Sequence, residues 1–250
     1  MHPVTDIVVL THNKIDITKG FIDQLYKHTE KSAFNLIFVD NNSTDGTVDF
    51  LKENQDKLNW SVYYSKENLG IIKGRNLGAS LVKSDFFLNI DNDQYPGKNW
   101  LNELHALMNV GYDVVGCEAW LLSPPNSKKE IILQNQKFKD YFPYRKAVNK
   151  TDYFSYIGCG GMLIKKSVYD SIGLFDDLFS PAYFEDPDFS FRCIKSGYKL
   201  GWCYKCNITH LAHQTMNSQK LFQKNDQFIR SLKNFQKKWF PYYPDPVRMA

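Results

Sequence analysis

In the N-terminal part of the chain, short apolar runs alternate with segments whose apolar residues recur at helical spacing. Asp6-Ile-Val-Val-Leu10 is continuous and β-branched, as a buried strand is, and it ends in Thr11-His12-Asn13. Ile17, Phe21, Ile22, Leu25 and Tyr26 then fall on one helical face. Phe34 to Val39 predicts a second strand, closed by Asp40. The polar turn Asn41 to Thr47 predicts a capped helix carrying Val48, Leu51 and Leu58. Trp60 to Tyr64 reads as a third strand, and Asn68-Leu69-Gly70 opens a helix over 71–82 with small residues at Gly74, Gly78 and Ala79. A fourth apolar run, Phe86 to Ile90, stops in Asp91-Asn92-Asp93. Such alternation predicts an α/β fold with a mostly parallel sheet wrapped by helices. Right-handed crossovers then bring Thr11, Asn13, Asp40, the Asn68 turn, Asp91 and Asp93 to one rim.

The second half has a looser pattern. Trp100 to Val110 is amphipathic, and Val114 to Leu122 reads as one further strand. The segment 123–149 is polar, Pro-containing and rich in Lys and Tyr, which suits an excursion or lid. A glycine cluster at Gly158, Gly160 and Gly161 leads into a strand reaching Ile164. Phe184-Glu185-Asp186-Pro187-Asp188 opens a helix that stops at Gly197. Strands over 198–204 and 208–210 follow, then a basic, aromatic helix over 219–239. With no repeat or linker, the chain is expected to form one domain over 1–217. Its donor half would cover about 1–95 and its acceptor half about 96–217, with 218–250 a helix and tail packed against it.

A formal charge of +4 is too small to argue for nucleic acid as partner. No apolar run approaches membrane-span length, and the N-terminus lacks the basic and apolar stretch of a signal peptide. Five cysteines, an odd number, point to reduced thiols and a cytoplasmic setting. Cys203 and Cys206 have zinc-knuckle spacing without a second pair. The stretch from Phe235 to Tyr243 suits packing on the domain first. A membrane surface, at the inner face where lipid-linked acceptors sit, and a homodimer contact are the alternatives.

Two carboxylates one residue apart at a strand end repel unless a cation stands beside them, and a hard ion such as Mg²⁺ or Mn²⁺ is the fitting one. Asp40 is placed to accept a hydrogen bond from a base edge such as the N3–H of uracil. Asn68, Gly70, Lys73, Arg75 and Asn76 set glycines and cations at a helix N-terminus, where free N–H groups suit a diphosphate. Glu185, Asp186 and Asp188 form a second acidic group, either a charged helix start or the seat of a general base. His210 and His213 stand near a strand end, and Mn²⁺ accepts imidazole alongside oxygen.

Taken in order, Thr11-His-Asn13, Val39-Asp-Asn-Asn-Ser-Thr-Asp-Gly46, Asn68-Leu-Gly70, Arg75-Asn-x-Gly78, Asp91-x-Asp93, Gly161-Met-Leu-Ile164, Gly173-Leu-Phe-Asp176, Tyr183-Phe-Glu-Asp-x-Asp-Phe189 and a late His resemble a family 2 inverting glycosyltransferase with the GT-A fold. The resemblance spans roughly 4–215 and implies a single Rossmann-like domain with a central mixed, mostly parallel sheet flanked by helices. It implies that Thr11, Asn13 and Asp40 line the base and ribose, with Asn92 beside the donor. Asp91 would touch ribose or metal, and Asp93 would bind Mn²⁺ or Mg²⁺ together with His210, or else His213. Asp186 would act as base with Glu185 beside it, and Gly160, Gly161 and Asp188 would lie on the acceptor side. The implied reaction moves a sugar from a nucleotide diphosphate donor, UDP by default, to a glycan or lipid-linked acceptor in polysaccharide or glycolipid assembly. The rivals are a nucleotidyltransferase acting on sugar phosphates, disfavoured by the lack of a triphosphate loop after the first strand, and a catalytically idle sugar-binding module.

Overall fold

The computed structural model describes residues 3–122, 131–133, 136–138, 144–211, 221–240 and 242–249. The chain opens with β1 (Thr5–Thr11), α1 (Ile15–His28), β2 (Phe34–Asp40), α2 (Thr47–Leu58), β3 (Ser61–Tyr64), α3 (Gly70–Ser80) and β4 (Phe86–Asp91). Then come β5 (Gln94–Pro96), α4 (Trp100–Asn109), β6 (Val114–Gly116) and β7 (Ala119–Leu122). The short strands β8 (Ile131–Leu133), β9 (Gln136–Phe138), β10 (Tyr144–Lys146) and β11 (Tyr156–Ile157) follow. The order ends with β12 (Met162–Lys165), α5 (Lys166–Ile172), α6 (Glu185–Lys195), β13 (Leu200–Trp202), β14 (Ile208–His210) and α7 (Leu221–Trp239).

A seven-stranded sheet has the order β13-β6-β12-β4-β1-β2-β3. β1 to β4 are parallel, β12 runs antiparallel to both β4 and β6, and β13 is parallel to β6. The mixed, mostly parallel α/β architecture is therefore the expected one. Alternation along the strands assigns the layers. Ile7 and Val9 of β1, Leu36 and Phe38 of β2, and Leu88 and Ile90 of β4 pack with Phe21, Leu25, Leu51, Trp100 and Leu104 of α1, α2 and α4. Val8, Ile37 and Phe87 face the other way, onto Ile72 and Ala79 of α3, Val168 of α5, Phe189 of α6 and Phe235 of α7. α3 lies close over β1 because it carries glycines there: a Cβ at Gly78 would collide with Val8, and one at Gly74 with Leu10.

Several expectations need correction. The single strand over 114–122 is two strands in different sheets: β6 stays in the main sheet, while β7 pairs with β10 and β11. The break allows Ile157 to cover Gly116, where any side chain would collide with it. The lid segment carries β8, β9 and β10, and its other residues up to 143 lie outside the described residues. α5 has no periodic signal because it is short and buries Val168 alone. β5 was not foreseen either; it exists by pairing with β14, a partner far along the chain. α7 packs against the domain. Phe235 and Trp239 are buried in the core shared with α6, so its aromatic face is turned to the domain. Among the described residues, no helix is long and apolar enough to cross a membrane.

Candidate active site

β4 ends among groups of opposite character. Asp91, Asp93 and His210 offer ligand atoms that all lie within 4.8 Å of one another. β14 brings His210 there by pairing with β5, which puts His210 opposite Gln94. His210 Nε2 stands 3.4 Å from Asp93 Oδ1, and that contact raises the affinity of the imidazole for a proton. Two carboxylates and an imidazole make a donor set that fits Mn²⁺, and Mg²⁺ through its oxygens. His213, the other histidine considered, lies outside the described residues.

Arg75 connects this group to the second acidic cluster. Its side chain is 3% exposed, and its guanidinium bonds Asp91 Oδ1 through one nitrogen and Cys159 Sγ through the other. Burial opposes its charge, but Asp91, Cys159 and Glu185 around it keep the guanidinium protonated. The Cys159 thiol points on to Glu185 Oε1 at 3.8 Å. Desolvation pushes that thiol well up despite Arg75, so Cys159 is a neutral link and not a nucleophile. Glu185 is buried, and its Oε2 has no hydrogen-bond partner among the described residues. Desolvation raises its proton affinity, with Arg75 pulling the other way. Asp186 is held well above the usual carboxylate range, first by desolvation and then by the charge of Glu185. The contacts Asp91–Arg75–Cys159–Glu185 therefore link the two acidic clusters, with Asp186 next to Glu185 in the chain.

On the other side of β4, the loops after β1, β2 and β3 are laced together. Asp40 is buried and accepts bonds from Thr11 Oγ1 at 3.3 Å and the Ser43 amide at 3.0 Å. Asn13, at positive φ, accepts the Thr44 amide at 2.7 Å and donates its own N–H to Ser43 Oγ at 2.7 Å. Asn41 donates to Asn68 Oδ1 and Gly70 O, and accepts the Leu69 amide. Thr11 is fully buried, so it supports Asp40 from behind.

Several proposed ligand groups have other work. The α3 N-terminus does not offer free N–H groups: those of Ile71 and Ile72 both donate to the Pro181 carbonyl, and that of Gly70 to Asn68 Oδ1. Gly70 itself is required by its φ of +76° and by Pro181, whose Cβ would lie 2.6 Å from an added Cβ. Asn76 bonds the backbone of Phe175 through both ends of its amide, and Asn92 donates to Thr18 Oγ1 on α1. Asp188, expected toward the acceptor, is fully buried and bonds Arg192, Lys238 and Trp239. Its burial between α6 and α7 removes it from any acceptor surface. Gly160 leaves room for the Gln94 amide, which accepts the Asp91 N–H; Gly161, at positive φ, donates its own N–H to Asn89 O. Lys73 is exposed on α3.

Sequence reasoning missed Cys159, Gln94, Pro181 and Lys238. Cys159 sits within the glycine cluster already singled out, a signal that was available. The others matter only through partners distant in the chain.

Comparison with known proteins gives the family and the fold. The family description "Glycosyl transferase family 2" matches residues 6–172, more than half of the 250. TarS of Staphylococcus aureus, a poly(ribitol-phosphate) beta-N-acetylglucosaminyltransferase, is 29% identical over 105 residues, 41% of this chain and 18% of TarS. Glycosyltransferase AglE of Haloferax volcanii is 20% identical over 209 residues, 81% of this chain and 65% of AglE. The chain thus spans less than two thirds of the length of either relative. Among solved structures, GalNAc-T7 with UDP, GalNAc and Mn²⁺ superposes with a TM-score of 0.71 at 14% identity, over 97% of this chain and 49% of that one. The Pyrobaculum calidifontis mannosyltransferase PcManGT, with GDP-Man and Mn²⁺, gives 0.62 at 16% identity, over 86% of this chain and 59% of that one. These structures share the GT-A fold. The chain belongs to glycosyltransferase family 2.

Proposed function

We propose that this family 2 enzyme is an inverting, metal-dependent glycosyltransferase that moves a sugar from a nucleoside diphosphate, UDP first, to a hydroxyl of a glycan or lipid-linked acceptor. The observation that carries the reading is the relay through Arg75, which sets a metal-fitting group and a proton-hungry carboxylate in one site. The setting is polysaccharide or glycolipid assembly. TarS acts on poly(ribitol-phosphate), which supports a polymeric acceptor.

Asp91, Asp93 and His210 would hold Mn²⁺ or Mg²⁺. When bound, the ion supplies Lewis acidity for the charge that develops on the departing diphosphate. Asp40, steadied by Thr11 and the Ser43 amide, faces the nucleobase, and Asn13 the adjoining loop. Lys73, exposed on α3, would offer the diphosphate a cation in place of the helix N–H groups that Pro181 consumes. Asp186 takes the proton of the acceptor hydroxyl while that oxygen attacks the anomeric carbon from the face opposite the diphosphate. The anomeric C–O bond to phosphate breaks, its electron pair leaves with the nucleoside diphosphate, and the centre inverts. A carboxylate with raised proton affinity is a better base for a hydroxyl than an ordinary one.

The test is a thermal-shift screen of nucleotide sugars with Mn²⁺, followed by transfer assays. A donor in excess should raise the Tm of wild type. Asp93→Ala should lose the Mn²⁺-dependent part of that rise together with transfer. Metal-independent transfer by Asp93→Ala at the wild-type rate would sink the metal assignment.

A further inference from the structure

The segment presenting Glu185 and Asp186 is bounded by two aspartates that meet one lysine. Lys238 Nζ on α7 lies 2.7 Å from Asp176 Oδ2 and 2.7 Å from Asp188 Oδ1. Asp176 precedes a short 3₁₀ turn and caps it through the Leu178 amide, while Asp188 sits in the first turn of α6. Between them, Tyr183 and Phe184 are consecutive non-glycine residues in the left-handed region, with φ of 74° and 66°. Such a turn persists only where its surroundings hold it. α7 does so along its length. Gln227 and Ser231 donate to the Ala182 carbonyl, Arg230 to that of Ser180 and Asn234 to that of Leu178. Phe228 packs on the rings of Tyr183 and Phe184, and Trp239 Nε1 donates to Asp188.

We infer that Lys238 is a positioning residue: it clasps both ends of the 176–188 segment and so fixes where Asp186 presents its carboxylate to the acceptor. The same segment caps α3 through the Pro181 carbonyl. The inference rests on Asp186 being the base as proposed above. It is independent of the metal and of the donor's identity. The family match stops at residue 172, so the clasp belongs to a part of this chain that the match does not describe.

The test compares Lys238→Met, Lys238→Arg, Asp176→Asn and, as control, Lys237→Met, whose lysine is exposed on the same helix. Because a misplaced base costs turnover more than donor binding, Lys238→Met should lower kcat by about a hundredfold while leaving the donor KM within about twofold. Arginine, which can still bridge two carboxylates, should restore most of the loss, and Asp176→Asn should give an intermediate effect. Amide hydrogen exchange across 177–187 should speed up in Lys238→Met while the central sheet keeps its protection. Lys237→Met should behave as wild type throughout. Unchanged exchange in 177–187, or a folded Lys238→Met with wild-type kcat, overturns the clasp. So does a rise in donor KM equal to the fall in kcat. If wild type transfers no sugar at all, the functional reading fails, and the exchange arm still decides the clasp.

Discussion

On the side proposed for the donor, the loops after β1, β2 and β3 hold one another. Asn13, Asp40, Asn41, Ser43 and Asn68 exchange bonds across strands that are neighbours both in the sheet and in the chain. On the side of the proposed base, the segment 176–188 is held by α7, which begins more than thirty residues later. The first is a self-supporting arrangement of short polar side chains on parallel βα units. The second is a strained turn kept in place from outside. Donor binding should therefore tolerate damage to the C-terminal helix, whereas turnover should not.

The largest expected effect lies on the base side. Asp186→Asn should reduce transfer by about 10²–10⁴-fold, the usual range for a general base, with donor affinity preserved in a binding assay. Donor affinity falling in step with turnover would mean that the two sides are not separable. Arg75→Met comes next, because Arg75 touches both. Arg75→Met removes the buried cation that Asp91 and Cys159 share, so a drop in Tm and a loss of both donor binding and turnover are expected. Asn41→Ala removes bonds to Asn68, Leu69 and Gly70, costing about 1–3 kcal/mol, and should raise the donor KM with little change in kcat.

The pH dependence sharpens the same contrast. Asp186 is held above the ordinary carboxylate range by desolvation and by Glu185, so kcat should rise with pH along a limb displaced upward from that range. The stability sign runs the opposite way. A carboxyl with a raised folded-state pKa gives its full contribution below the unfolded value and loses it as pH climbs through the folded one. Asp186→Asn should therefore melt higher than wild type at pH 8, and the difference should vanish at pH 4. Smallest of all, Lys73→Ala should raise the donor KM by several-fold through loss of one exposed cation, an effect that salt should mask. A Lys73→Ala enzyme with an unchanged KM at low salt would remove Lys73 from the donor site.

What was legible from residue order was whatever depends on period and on strand ends. Ile7, Val8 and Val9 announce a strand covered on both faces, and parallel crossovers bring Asp40 and Asp91 to one rim. The Asp91/Asp93 pair at a strand end and the Glu185/Asp186 pair at a helix start could thus be located beforehand. The sequence alone could not tell which polar groups were already spent. Asn76, Asn92 and Asp188 look the same as ligand-binding residues until Phe175, Thr18 and Lys238 are seen bonded to them. The α3 N-terminus looks open until the Pro181 carbonyl is found on it. A side chain's chemical capacity is written in its type, whereas its availability depends on partners that only folding brings near.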